Sequence, residues 1–256
     1  MASLLSQWSQ TQKDTREGLV LKLIHFSCTQ PMDIGKPQPI KKFIPEWYKK
    51  AETYYVSEED NVAIEDGAQK KTEGLKTCVP FLDALTSGYA LVTPFDIYVG
   101  RNEDGDLDLR WNAPQGWENF IEERPKESGS TMPRPAGHAP NHLVWSGRWG
   151  IKLPRGYSAL VVHPLNRQDL PFTTSSAIMD SDKFFGNGNM PFFIKEDFVG
   201  VIEKNTPYAQ IIPIKRNIWK MIYNPAVRDR ITLQGHNVRT KEGSYKKKYW
   251  IRKEYN

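Results

Sequence analysis

The sequence predicts a mainly β protein, built as a barrel or a jelly-roll sandwich. Between residues 149 and 219, short β-branched and aromatic runs alternate with breaks of Pro, Gly and Asn, which is typical of strands joined by tight turns. Strands are expected at 149–153, 157–162, 198–202 and 208–212. A few short helices and long loops rich in Pro and Gly complete the predicted class.

The elements before residue 149 follow from the same kinds of signal. Asp104-Gly105 predicts a tight hairpin between 95–99 and 107–111, because Asp-Gly accepts the positive φ angles of such a turn. Pro45 and Pro80 each fit the first turn of a short helix, where the missing N–H costs no hydrogen bond. Further expectations are strands at 19–24 and 89–92, a surface loop at 54–71, and a helical turn at 218–223 that ends at Asn224-Pro225.

Composition favours one folded β-rich domain with two less regular ends. The 256 residues are 39% hydrophobic and 25% charged, which is ordinary for a globular protein, and no apolar run reaches the length of a membrane span. We expect a flexible arm at 1–18, a single domain at 19–220 with an irregular loop at 111–148, and a C-terminal tail at 221–256. Cys28 and Cys78 form no metal motif and indicate a reducing compartment.

Basic and aromatic residues are concentrated at the C-terminal end. The net charge is +5, yet residues 239–256 alone carry seven lysines and arginines against two glutamates. One interpretation is a tail that grips a protein partner or a nucleic acid; the other is a terminal strand whose aromatics cover a sheet edge while its lysines face water. The candidate contact residues are Lys246, Lys247, Lys248, Trp250, Arg252 and Lys253.

One acidic pair is a candidate for chemistry. Asp180 and Asp182 are two residues apart, so that on a strand they would share a face and could hold a cation or divide into acid and base. They fit equally well as the polar entry to a turn. His138 and His142 have helical metal-ligand spacing, but Pro140 lies between them, and we predict no metal site.

Four segments resemble the dUTPase and dCTP deaminase superfamily, whose fold is the β-clip. They are Thr86-Ser-Gly-Tyr-Ala90, Ile151-Lys-Leu-Pro-Arg-Gly-Tyr157, Ile178-Met-Asp-Ser-Asp182 and Val201-Ile-Glu-Lys-Asn-Thr-Pro-Tyr-Ala-Gln-Ile211. The resemblance implies a β-clip-like fold, often trimeric. It also implies a nucleotide site in which Asp180 activates water, Arg155 or Arg167 holds phosphate, and Mg²⁺ is the cofactor.

Departures from that pattern argue against the reaction. Ala90 stands where the family has Asp, and Lys183 stands where it has the tyrosine that packs on the nucleoside. The Arg-Ser-Gly phosphate grip would fall near 163–167, where no Ser-Gly occurs. We therefore expect no catalytic residues beyond the weak candidates Asp180 and Asp182, and no cofactor unless the nucleotide alternative holds.

Four other blocks are similar to an uncharacterised family of tailed-bacteriophage proteins. They are Lys36-Pro-Gln-Pro-Ile-Lys-Lys-Phe-Ile-Pro-Glu-Trp-Tyr48, Cys78-Val-Pro-Phe-Leu-Asp-Ala-Leu-Thr-Ser-Gly-Tyr89, Leu153-Pro-Arg-Gly-Tyr-Ser158 and Thr206-Pro-Tyr-Ala-Gln-Ile-Ile-Pro213. This similarity implies a phage protein of the host cytoplasm or the virion. The expected function is non-enzymatic: a virion component or partner-binding protein that assembles with phage or host proteins, or with itself, through its arms and loops. The alternatives are a nucleotide-binding or nucleotide-hydrolysing protein, and a nucleic-acid-binding protein that uses the basic tail.

Overall fold

Strands dominate the computed structural model, which describes residues 21–56, 71–125, 127 and 132–256. The mainly β class with a few short helices is confirmed. The strands of the described residues are β1 His25–Cys28, β2 Gln38–Pro39, β3 Tyr54–Val56, β4 Lys71–Glu73, β5 Tyr89–Val92, β6 Ile97–Arg101, β7 Leu107–Trp111, β8 Ile121–Glu123, β9 Leu143–Ser146, β10 Trp149–Lys152, β11 Tyr157–Val162, β12 Phe172–Thr174, β13 Ala177–Met179, β14 Asn189–Ile194, β15 Gly200–Ile202 and β16 Pro207–Lys215. The helices are α1 Glu46–Lys50, α2 Val79–Thr86, α3 Arg228–Thr240 and α4 Ser244–Lys248, with 3₁₀ turns at Ile40–Phe43, Leu75–Thr77 and Pro225–Val227.

A five-stranded antiparallel sheet forms the centre of the molecule. Its strand order is β13-β11-β16-β5-β2. The β11–β16 pair runs from Tyr157 opposite Lys215 to Val162 opposite Gln210. Both strands are rich in β-branched residues, which pack well on a pleated surface. The last strand of the domain, β16, is therefore held in its middle, and the chain leaves the sheet at Lys215.

Smaller sheets surround the central one. Strands β12-β14-β9-β8 form a four-stranded sheet, β15-β6-β7 a three-stranded sheet, and β1–β10 and β3–β4 form pairs. Buried residues from the first three of these and from β11 and β16 belong to one hydrophobic cluster. Because the sheets share this core, they are parts of one packed β structure.

Aromatic rings fill the middle of that cluster. Trp145 is fully buried and stacks on Phe192, with ring centroids 3.8 Å apart and an interplanar angle of 10°. Phe120, Phe172 and Tyr208 surround the same indole at centroid distances of 5.0 to 5.7 Å. The indole N–H donates to Thr174 Oγ1 at 3.1 Å, so that burial leaves no unsatisfied donor there.

Several element predictions are confirmed. The helices with Pro45 and Pro80 near their starts are α1 and α2, and the strands expected at 89–92, 149–153, 157–162, 198–202 and 208–212 are β5, β10, β11, β15 and β16, with ends shifted by up to three residues. The Asp104-Gly105 hairpin joins β6 and β7, and Gly105 has a φ of +83°. These elements carry strong local signals, namely a turn dipeptide, an N-terminal proline or a β-branched run.

Other predictions upstream of residue 149 are wrong. Residues 21–24 form no strand, and β1 begins only at His25. The ends of the expected 54–71 loop pair as β3 and β4, while residues 57–70 lie outside the described residues. The region 111–148, predicted to be irregular, contains β8 and the fully buried β9. These strands have only three and four residues, and the prolines around them made a loop the expected structure.

The C-terminal predictions also need correction. Residues 218–223 form no helical turn. The terminal strand, one of the two interpretations of residues 239–256, does not form: the end of α3 and α4 lie there instead. A strand there would need a sheet edge to pair with, whereas a helix satisfies its own backbone. The predicted arm at 1–18 lies outside the described residues. In the described ranges we find no helix that combines the length and apolarity of a membrane span.

Candidate functional site

The acidic pair is bound by one arginine at the end of β16. Asp180 and Asp182 lie in the turn that follows β13, not on a strand. Arg216 Nη1 donates to Asp180 Oδ1 at 2.9 Å, and Arg216 Nη2 donates to Asp182 Oδ2. Ser158 Oγ donates to Asp180 Oδ1 at 2.7 Å, and the Gly156 amide donates to Asp182 Oδ2 at 2.8 Å.

These contacts favour the ionised form of both carboxyls. The hydrogen bond from Arg216, followed by that from the Gly156 amide, lowers the pKa of Asp182 to about 2. The hydrogen bond from Ser158, followed by that from Arg216, lowers the pKa of Asp180. The Asp182 side chain is only 3% exposed, whereas that of Asp180 is 57% exposed. Neither carboxyl is poised to exchange a proton near neutral pH, which a general acid or base requires.

The arrangement does not fit a magnesium site as it stands. Mg²⁺ prefers carboxylate oxygens that are free to enter an octahedral shell. Here the oxygens that face the arginine are already used by its guanidinium, whose pKa is raised, first by the hydrogen bond to Asp182. The structure therefore gives Asp180 and Asp182 a structural role: they fasten the end of β16 to the turn after β13. Their catalytic role stays a prediction.

The two arginines predicted to hold phosphate lie at opposite ends of β11. Arg155 is exposed in the turn before the strand, and Arg167 follows the strand. Six strand residues separate the two ends by roughly 17 Å. Arg167 is also bound by other residues of its own chain. Its side chain is 13% exposed and forms an ion pair with Asp169 at 2.8 Å, and its Nη1 donates to the Phe43 carbonyl at 3.0 Å. The structure does not bring the two together.

The basic tail divides into a docked part and an exposed part. Trp250 Nε1 donates to both carboxylate oxygens of Asp83 on α2, at 3.0 and 3.2 Å, and Lys253 Nζ binds the same carboxylate. Tyr255 packs edge-on against Tyr89, with ring centroids 5.9 Å apart. Of the six candidate contact residues, Trp250 and Lys253 are thus used to hold the chain's own C-terminal segment.

The remaining four candidates face solvent. Lys246, Lys247 and Lys248 occupy one short helix, α4, and all three are exposed. Arg252 is exposed and pairs with Glu254 at 3.2 Å. A contact with an anionic partner through the tail therefore depends on α4 and its surroundings.

A segment that sequence reasoning did not select is the most exposed apolar surface in the described structure. We call residues 217–223 the arm. Every large apolar side chain in the arm is at least 74% exposed; these are Ile218, Trp219, Met221, Ile222 and Tyr223. Monomeric proteins rarely expose so large a contiguous apolar surface, and such patches mark sites of association.

Local chemistry explains why the arm forms no helix or strand. Arg216 is the last anchored residue: its amide donates to the Gly156 carbonyl at 2.8 Å, and its side chain holds the acidic pair. Asn224 precedes Pro225 and is extended at φ −126° and ψ 93°, as the proline requires. The seven residues between these points are too few for a stable isolated helix. No backbone group of the arm bonds to another described backbone group.

Helix α3 continues the unpaired surface. It has 13 residues and no buried side chain, and Ile231 and Leu233 are 62% and 60% exposed. An isolated helix of this length is marginal in water, since most helical stability in proteins comes from packing of an apolar face. The large apolar side chains of the arm and of the first half of α3 are thus exposed in the described structure. The sequence shows a run of large apolar residues directly after the last strand. It does not show that these residues are exposed.

Charge is divided unevenly between residues 215–256, which we call the C-terminal projection, and the rest of the molecule. Residues 215–256 contain twelve lysines and arginines and three acidic residues, a net charge of +9. The whole chain has 35 basic and 30 acidic residues, so residues 1–214 have 23 and 27 and a net charge of −4. The C-terminal projection is thus strongly basic, and the part that precedes it is acidic.

Comparisons with known proteins give only distant structural likeness. No family model matches the chain, and no curated protein matches it. A mutant dUTPase from phage phi11 of S. aureus, solved to describe how it coordinates a structural Mg(II) ion, matches with a TM-score of 0.28 and 8% identity over 69% of this chain and 95% of its own. A second structure of dUTPase from the same phage matches with a TM-score of 0.23 and 11% identity over 42% and 97%. Likeness at this level does not extend to activity, substrate or metal.

Proposed function

We propose that this chain is a non-enzymatic protein that binds a protein partner through the arm and α3, as a component of a larger assembly. One observation carries the proposal: five large apolar side chains project into solvent from residues 217–223. At roughly 200 Å² for a large side chain, they expose on the order of 1,000 Å². A specific protein interface buries about 800 Å² on each partner, so the arm alone offers the area of a binding site.

The base of the arm supports the same proposal. Arg216 is held by Asp180 and Asp182, and β16 is paired on both sides, so the arm leaves a rigid point. A contact segment that starts from a fixed residue loses less conformational freedom on binding than a free terminus does. The setting in a bacteriophage, as a virion component or a protein that acts on host or phage partners, belongs to the proposal and rests on the four sequence blocks described above.

Site-specific photocrosslinking tests the proposal. A photoreactive phenylalanine derivative replaces Trp219 in one variant and Ile178 in a control, because Ile178 is 66% exposed but lies on β13, outside the arm. We expect irradiation of cells that produce the chain to give a discrete crosslinked protein from position 219 and none from position 178. Equal, diffuse labelling from both positions would refute a binding role for the arm.

The charge of the C-terminal projection favours a second candidate, binding of nucleic acid. Lysines and arginines that neutralise phosphates release counterions, so the affinity falls steeply with salt. Changing Lys246, Lys247 and Lys248 to Gln removes three of the twelve basic residues while keeping α4 helical. On this candidate, the slope of log affinity against log salt for single-stranded DNA falls by about two to three. An unchanged slope would exclude α4 from such a contact.

A further inference from the structure

One sheet in the acidic part of the chain, residues 1–214, has a surface that complements the arm in charge and polarity. We call β15-β6-β7, with its flanking residues 95–111 and 195–204, the acidic sheet. These two segments contain eight aspartates and glutamates and four lysines and arginines, a net charge of −4. Arg101 Nη2 donates to the Glu196 carbonyl at 2.6 Å, and Arg110 pairs with Asp108 at 2.7 Å, so two of the four basic groups are used within the sheet itself.

The acidic sheet also carries an exposed apolar patch. Tyr98 on β6 is directly opposite Val201 on β15, and Val199 is two residues before Val201, so the three side chains share one face. They are 55%, 42% and 65% exposed. Their strand neighbours Ile97 and Val99 point the other way, into the core. The patch is therefore the outer face of a sheet whose inner face is packed.

The edge of this sheet is open. Strand β15 is the terminal strand in the order β15-β6-β7 and pairs only with β6 among the described strands. Edge strands present unpaired N–H and C=O groups that accept an added extended segment. The arm can supply such a segment: it forms no helix or strand, its backbone bonds to no other described backbone group, and most of its side chains are apolar, with Lys220 between them.

We infer that the arm of one copy of this chain docks on the acidic sheet of a second copy, covering Tyr98, Val199 and Val201. The inference rests on the proposed function and names the partner for the arm. Two independent complementarities on the same chain support it: apolar surface meets apolar surface, and Lys215 and Lys220 meet a sheet with a net charge of −4. The arm does not cover its own sheet, since its side chains are at least 74% exposed.

A second apolar surface of the molecule fits the arm less well. A cleft of about 680 Å³ is lined by Phe26, Tyr89 and several prolines, and the docked Tyr255 closes part of it. Lys22 and Glu254 are its charged lining residues, so its lining has no net charge. The cleft can accept apolar groups, but it gives no electrostatic preference for a basic segment.

The geometry of the contact determines the type of assembly. The arm and the acidic sheet are different surfaces, so each contact is heterologous and leaves one free arm and one free sheet. Such contacts continue until a ring closes or an open chain forms. We expect self-association that rises with protein concentration and weakens at least about tenfold between low and high salt, because exposed opposite charges are screened.

Mixing two defective variants tests this directly by sedimentation velocity. An arm variant carries Trp219→Ser and Ile222→Ser, and a sheet variant carries Val201→Arg, which removes an apolar group and adds a charge that repels Lys220. Each variant alone should be monomeric at concentrations at which the unchanged chain assembles. Their mixture should form one-to-one dimers and nothing larger, since only the arm of the sheet variant and the sheet of the arm variant remain intact.

A control variant and the possible outcomes distinguish a failure of this inference from a failure of the proposed function. Ile178→Arg makes the same kind of change on another edge strand, β13, and should assemble like the unchanged chain; thermal melts verify that all variants fold. Assembly of either defective variant alone, loss of assembly in the control, or a mixture that stays monomeric would overturn the inference. If position 219 crosslinks to a different protein while the chain stays monomeric, the inference is wrong and the proposed function stands. If position 219 crosslinks to nothing, both are wrong.

Discussion

Asp83 on α2 binds two side chains of the C-terminal segment, so Asp83→Asn should loosen that segment. Asp83 accepts hydrogen bonds from Trp250 Nε1 and from Lys253 Nζ, and its side chain is only 17% exposed. A hydrogen bond to an ionised group contributes about 1.5–3 kcal/mol, whereas a neutral one contributes about 1 kcal/mol. The amide keeps the shape and one acceptor but removes the charge. We expect the free energy of local opening of residues 249–256 to fall by about 1.5–3 kcal/mol.

Hydrogen exchange measured by mass spectrometry reads this opening directly. The amides of Tyr249 and Trp250 donate to the Tyr245 carbonyl at 2.9 and 3.0 Å and report on the opening. Since about 1.4 kcal/mol corresponds to a factor of ten, these two amides should exchange about 10 to 100 times faster in the variant. Trp250→Phe removes one donor and keeps an aromatic ring. The bond between Trp250 and Asp83 can be lost only once, so adding Trp250→Phe to Asp83→Asn should not lower the free energy of opening further through that bond. Asp104→Asn, on the exposed β6–β7 turn, is the control and should leave the exchange of this segment unchanged.

Two results would refute the reasoning. If the Tyr249 and Trp250 amides of the unchanged chain exchange as fast as those of an unstructured peptide, the contacts of Asp83 with this segment are not formed, and the tail is free to bind a partner with Trp250 and Lys253. If the segment is protected and Asp83→Asn does not change it, the packing of Tyr255 on Tyr89 holds it instead.

Three further predictions concern the β structure that carries the arm. Trp145→Ala should lower the free energy of unfolding by about 3–5 kcal/mol in denaturant titrations, because it empties the centre of the aromatic cluster; a loss under about 1 kcal/mol would show a loosely packed core. Burial lowers the pKa of both His142 and His163 below 6.5, so the unfolded chain binds protons that the folded chain does not, and the free energy of unfolding should fall as the pH drops through about 6.5. A constant free energy between about pH 7.5 and about pH 5.5 would contradict that assignment. Gly88→Ala should destabilise the fold more than Gly105→Ala, since both have positive φ but only at Gly88 would the new methyl group meet a backbone carbonyl of β16; equal melting temperatures would contradict the clash.

The strands and turns of the β structure were predictable where local signals agree. Asp104-Gly105 specifies its hairpin, and the β-branched run at 157–162 specifies β11, since each signal is complete within a few residues. Strand β9 is equally apolar, but the prolines and glycines that flank it led to the prediction of a loop. Its strand state comes from pairing with β8 and β14, which are distant along the chain. Non-local pairing of this kind leaves no mark in a short window of sequence.

The candidate site was predicted less well than the fold, for a related reason. Asp180 and Asp182 were correctly singled out as a pair, but their partner Arg216 lies 34 residues further on, and no spacing rule connects them. The arm was mistaken for a helical turn, because an apolar run before Asn-Pro fits a helix that packs on its own domain. Whether such a run is buried or exposed depends on surfaces that the rest of the chain provides.

The acidic pair and the arm are not independent, because both depend on Arg216. In the structure the guanidinium takes one oxygen of each carboxylate, Asp180 Oδ1 and Asp182 Oδ2, and the same residue is the last fixed point before the arm. A ligand that used those two oxygens would have to displace Arg216, which would release the base of the arm. Nucleotide chemistry at the pair and a fixed arm are therefore competing uses of the same two carboxylates. On the function proposed above, the two carboxylates hold the base of the arm and are not free for nucleotide chemistry.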